Sequence, residues 1–104
     1  MKKGEIWEAD LGGKAGKRPV LVLTRSQIIP YLSKIVVAEI TTKGKGYPTQ
    51  IDIHLSANLK KQSFVSSEAL HTIPKDCLLR YLGDLPENLL KQVNEAIAFA
   101  LDLS

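Results

Sequence analysis

The chain has 104 residues, 14 Lys/Arg against 11 Asp/Glu for a formal charge of +3, and is 44% apolar and 24% charged. That length makes a single domain, 1–104, and the composition is that of a globular protein rather than a disordered or fibrous one. No apolar run of about 18 residues exists to cross a membrane, and one cysteine, Cys77, excludes an internal disulfide and suits a reducing cytoplasm.

The charge is unevenly spread. Residues 1–61 hold eleven Lys/Arg and five Asp/Glu, net +6, whereas residues 62–104 hold three and six, net −3. A polyanion would meet the first part of the chain. The opening segment Met1-Lys2-Lys3-Gly4-Glu5-Ile6-Trp7 carries two lysines, but Glu5, Glu8 and Asp10 interrupt any apolar stretch, so it does not read as a signal peptide.

Glu5 to Leu11 alternates imperfectly and ends at Gly12-Gly13, which reads as a strand with Trp7 as an anchor. The cationic loop Gly12-Gly13-Lys14-Ala15-Gly16-Lys17 lacks the spacing of a phosphate-binding P-loop, since Gly12 and Gly16 enclose three residues instead of four and a strand follows. Arg18 is next, immediately before Pro19. Proline disfavours helical geometry in the residue before it, so Arg18 should project from extended backbone at the start of a strand. Pro19 to Thr24 has no alternation and is rich in valine and leucine, the pattern of a strand covered on both faces.

Arg25 to Ile29 fits one helical turn before Pro30, and Lys34 to Thr41 is a second buried strand delivering Thr41 and Thr42 at its end. Lys43-Gly44-Lys45-Gly46-Tyr47-Pro48 reads as a mobile loop whose lysines can reach a backbone phosphate. Thr49 to Leu55 alternates cleanly and predicts a half-buried antiparallel strand, with His54 among polar neighbours at the surface. Ser63 to Leu70 is a further strand closed by His71-Thr72-Ile73-Pro74, and Leu78 to Leu82 is a short one before Gly83. From Pro86 onward, Leu89, Leu90, Val93, Ile97, Ala100 and Leu101 form one apolar helical stripe. Short strands, Gly/Pro turns and one terminal helix predict a mainly β, mostly antiparallel barrel or curled sheet with a helix against it.

Two distant histidines and one cysteine supply no metal-ligand spacing, and no G-x-S-x-G elbow is present. What remains is a metal-free kit of Arg18, Thr41 and an acidic or imidazole side chain. That kit suffices for RNA, which carries its own nucleophile in the 2′-hydroxyl. Arg18 would stabilise the phosphorane with forked hydrogen bonds, Thr41 would bond the scissile phosphate, and Glu68 or His71 would take the proton.

Gly4-Glu5-Ile6-Trp7, Lys17-Arg18-Pro19-Val20-Leu21-Val22, Val36-Val37-Ala38-Glu39-Ile40-Thr41-Thr42, Ser67-Glu68-Ala69-Leu70-His71-Thr72-Ile73 and the final amphipathic helix, in that order, resemble the MazF/PemK family of toxin endoribonucleases. The resemblance covers essentially the whole chain. It implies an SH3-like barrel, a homodimer, and sequence-specific cleavage of single-stranded RNA without metal or other cofactor, leaving a 2′,3′-cyclic phosphate and a 5′-hydroxyl. It also implies an antitoxin whose tail covers the RNA groove.

Matched residue by residue, Arg18 and Thr41 fall on the family's catalytic arginine and threonine, Glu68 on an acidic position near the site, and Ser66 and His71 on flanking positions where some members carry arginine. Lys14, Lys17, Thr42, Lys43, Lys45 and Ser66 are the expected RNA contacts. Two departures stand out: the loop between Leu11 and Arg18 is shorter than usual, and Ala69 replaces the usual Gln. They keep open an RNA-binding module of weakened activity, or a gyrase poison resembling CcdB that acts through its terminal helix.

Overall fold

A computed structural model describes residues 1–103. Six strands follow one another as β1 (Glu5–Asp10), β2 (Lys17–Val22), β3 (Lys34–Thr41), β4 (Gln50–His54), β5 (Ser63–Pro74) and β6 (Leu78–Asp84), and the helix α1 (Glu87–Ala100) comes after them. They form one sheet in the order β4-β5-β3-β2-β1-β6, antiparallel at every pairing.

The expected barrel is not closed by strand pairing: β4 and β6 are the two edges of a curled sheet. Curling nevertheless brings the edges together through the turn after β4, where Asn58 donates from its backbone N (3.2 Å) and its Nδ2 (2.7 Å) to the carbonyl of Leu82. Gly83 makes that approach possible. It has φ +142°, and a Cβ there would stand 2.8 Å from the Cβ of Ala57.

The two-sided burial predicted for the second strand is present, with Val20, Leu21 and Val22 all fully buried. Alternation sends Leu21, Ala38 and Ile40 into the main core with Ile6, Ile53, Val65 and Val93, and sends Val20, Val22 and Val37 to a second cluster with Ala9, Ile29, Ile35 and Ile73. Truncating a fully buried residue such as Ile53 to Ala costs about 2–5 kcal/mol.

Several boundaries differ from the sequence expectation, beginning with β2, which runs from Lys17 to Val22 rather than from Pro19 to Thr24. The turn predicted before Pro30 forms as a 3-10 turn, Ile29–Tyr31, that includes Pro30, because a proline in the first turn gives up only an amide with no partner there. β5 does not close at His71 but pairs with β3 as far as Pro74 opposite Lys34. β6 continues past Gly83, where β1 and β6 shift register.

Pro86 occupies the N-cap of α1 rather than its first helical position, and its carbonyl accepts from the amides of Leu89 and Leu90. Val93 and Ala96 are buried, with Leu89, Leu90 and Ile97 packed against the core, whereas Leu101 of the predicted stripe lies in solvent with Phe99. Among the described residues, no helix is long and apolar enough to cross a membrane.

Candidate active site

β2 and β3 pair with Val20 opposite Glu39, so two residues nearer the mouth Arg18 stands on the same face as Thr41 at the end of β3. The face that carries apolar Val22, Val20 and Val37 inside the second cluster thus turns polar at its open end. There a cavity of about 340 Å³ is walled by Arg18, Glu39, Thr41 and the lysines of the following loop, Lys43 and Lys45. Ser66, Glu68 and Ala69 close it from β5, and Tyr47, Thr49 and Gln50 from the segment entering β4. Three cationic side chains face two carboxylates.

Arg18 is fixed at two points. Its Nε donates to the carbonyl of Ala15 (3.0 Å) and its Nη1 to Glu39 Oε1 (2.5 Å). The pair is not sealed in the interior, because the Arg18 side chain keeps 35% of its exposure. The other carboxylate oxygen, Glu39 Oε2, is 2.5 Å from Nε2 of His71. Burial opposes ionisation of Glu39, but the hydrogen bonds from His71 and Arg18, with the charge of Arg18, outweigh it and hold the carboxyl below its ordinary value of 4.5.

Thr41 Oγ1 accepts from the amide of Lys43 (3.1 Å), which leaves the hydroxyl hydrogen for an incoming acceptor. The loop expected to be mobile is tied down at several points. Gln50 accepts from the amide of Lys45 through Oε1 (2.8 Å) and reaches the carbonyl of Lys43 through Nε2 (3.4 Å). The ring of Phe64 lies against Gly44, where a Cβ would stand 2.6 Å from it, so only glycine lets the loop lie this close to β5.

Of the residues singled out from sequence, Arg18, Thr41, Lys43, Lys45, Ser66 and Glu68 come together here. Lys14, Lys17 and Thr42 are exposed and stand outside the cavity wall. Lys17 and Thr42 neighbour inward-facing residues on strands whose side chains alternate, and Lys14 sits in a tight turn closed by the Gly16 amide on the Gly12 carbonyl (3.0 Å). His71 lies behind Glu39 rather than on the wall. Sequence reasoning missed Glu39 and Gln50. A charged residue inside the apolar run Ile35 to Ile40 was the available signal for Glu39, since such a group needs a partner. Among the described residues, no three His, Cys, Asp or Glu side chains converge.

Fold and site define a class: a small curled antiparallel sheet with an arginine-walled cavity suited to an anion. The chain matches the family described as PemK-like, MazF-like toxin of type II toxin-antitoxin system over residues 2–101, and it belongs to that family. It is 38% identical over 86 residues to Endoribonuclease MazF3 of Mycobacterium tuberculosis, covering 83% of this chain and 84% of the relative. The solved structure of Mycobacterium tuberculosis toxin MazF-mt6 is 36% identical and superposes with a TM-score of 0.88 over 96% of this chain and 98% of that one. An endoribonuclease in complex with its cognate antitoxin from a mycobacterial species is 27% identical, with a TM-score of 0.90 over 100% and 97% of the two chains.

Proposed function

We propose that this protein is a toxin endoribonuclease that cleaves single-stranded RNA at a short sequence without metal, leaving a 2′,3′-cyclic phosphate and a 5′-hydroxyl. The observation that carries the reading is the placement of Arg18 and Thr41 on the wall of one cavity. The scissile phosphate lies between them. The neighbouring 2′-oxygen gives up its proton and attacks phosphorus, the O2′–P bond forms as the P–O5′ bond breaks, and the departing 5′-oxygen takes a proton from solvent, to which the base later returns the one it accepted.

Arg18 stabilises the negative charge that grows on the phosphorane, and the Thr41 hydroxyl donates to a non-bridging oxygen. Glu68 accepts the 2′-proton in this reading, which its position on the cavity wall supports, whereas His71 has its Nε2 engaged by Glu39. Lys43 and Lys45 hold the flanking phosphates, and Gln50 and Ser66 present amide and hydroxyl groups to the bases beside them. RNA supplies the nucleophile and arginine the charge, so the chemistry is complete without a metal ion. A cytoplasmic setting, a homodimer and a cognate antitoxin covering the cavity complete the reading, supported by the antitoxin complex of the mycobacterial relative.

The test is cleavage of a varied single-stranded RNA pool by purified protein in EDTA. Wild type cleaves it, and Arg18→Ala lowers the rate at least about 100-fold while the circular dichroism spectrum and melting temperature are kept. A protein that leaves the whole pool intact overturns the assignment. The gyrase-poison reading draws on one observation, the exposed apolar helix end of Phe99, Leu101 and Leu103. Inhibition of gyrase supercoiling by a protein inert on RNA would establish it.

A further inference from the structure

Glu39 stands in the middle of the sheet, between buried Ala38 and Ile40, with its side chain 17% exposed. A carboxylate there is expensive to desolvate, and it also puts negative charge on the wall of a cavity meant for an anion. Stability is a weak explanation, because in a pair whose side chains are only 35% and 17% exposed the cost of desolvation offsets much of the attraction. Its two oxygens are divided between groups from the two neighbouring strands. Arg18 of β2 takes Oε1 and His71 of β5, which pairs opposite Val37, takes Oε2.

The geometry points to Glu39 as a positioning residue for Arg18: its carboxylate clamps the guanidinium at the cavity wall and is itself braced by His71, so that a phosphodiester meets an arginine already oriented. A guanidinium is a planar fork, and the Ala15 carbonyl at Nε with the Glu39 carboxylate at Nη1 fixes the plane. The Nη2 amino group and the second Nη1 hydrogen are left for the oxygens of the diester. An ionised carboxylate has no hydrogen to give, so His71 donates from Nε2 and the clamp sets its tautomer.

Glu39 is not the proton acceptor of the reaction. Both its oxygens are engaged, and its carboxyl is held below the ordinary range, which makes it a weak base. The titratable and charged groups that face it are Arg18 from β2 and the His71 ring from β5, with Glu68, Lys43 and Lys45 on the same cavity wall.

Only the kinetic part of the test rests on the ribonuclease reading. Glu39→Gln keeps the size of the side chain and removes its charge. It should lower kcat at least tenfold and leave KM within about threefold, because the phosphate is still bound by the lysines. Arg18→Lys and the double variant Arg18→Lys/Glu39→Gln should cleave within about twofold of one another, since Glu39 acts only through the fork of Arg18. His71→Ala should cost about threefold, and His71→Gln, which keeps a donor, should recover most of it.

The independent arm is the 15N spectrum of the Arg18 side chain. Its Nη groups are resolved and slowly rotating in wild type, and they average in Glu39→Gln. Unchanged kcat in Glu39→Gln, additive losses in the double variant, or a guanidinium equally hindered without the carboxylate would each overturn the clamp. If wild type cleaves no RNA, the ribonuclease reading fails while the guanidinium spectrum still decides the clamp.

Discussion

One carboxyl ties the stability of this protein to pH. Glu39 has a lower value in the folded chain than its ordinary 4.5, because the hydrogen bonds and charge of Arg18 and His71 overcome the cost of burial. A lowered folded value means that its stabilisation is complete above the unfolded value and is lost as pH falls through the folded one. Wild type should therefore exceed Glu39→Gln in melting temperature near neutrality, and the gap should shrink on acidification below 4.5. A gap that stays constant over that range, followed by thermal melting, would mean that the pair does not form in solution. Ser67 presents a different residue-scale test. Its Oγ is fully buried among the described residues with no hydrogen-bond partner, so Ser67→Ala should raise stability by about 1 kcal/mol in urea unfolding.

At the scale of elements, close approach explains the site better than propensity does. Gly44 lets the lysine loop lie on Phe64, and Gly83 lets the turn after β4 reach β6. Gly44→Val should push the loop outward and weaken RNA binding at least about tenfold with little loss of fold, which a binding titration beside a thermal melt will show. Gly83→Ala combines a disfavoured φ with a contact of 3.2 Å to the backbone of Ala57, and should cost about 1–3 kcal/mol of stability.

These features also divide what sequence could and could not reveal. The unalternating run Val20-Leu21-Val22 announced two-sided burial, and proline after Arg18 announced an arginine at a strand mouth, because both are local effects. Glu39 was passed over because its meaning depends on partners 21 and 32 positions away. Gln50 shared that fate: its alternation showed which face it occupies but not that a loop is laced to it. The loop Lys43 to Pro48 looked free for the same reason. Nothing local records the hydrogen bonds of Gln50 or the ring of Phe64 beneath Gly44.

For the whole molecule, the three cationic side chains on the cavity wall, Arg18, Lys43 and Lys45, all come from the basic first part of the chain. Each phosphate neutralised on a single strand contributes about 0.7 to the slope of log affinity against log salt. Lys45→Ala should lower that slope by about this amount across RNA sequences, as measured by fluorescence anisotropy over a salt series; an unchanged slope would remove Lys45 from the phosphate path.

The sheet order carries one more consequence. β3 is paired along both sides, whereas β4 is an edge. Amide exchange should accordingly separate the site into two tiers, with Val37 and Ala38 opening only with global unfolding and the amides around Gln50 at much lower free energy. Edge breathing would then release the lysine loop while the arginine and its clamp stay assembled. A nucleic acid could enter and leave by that route without any loss of catalytic order.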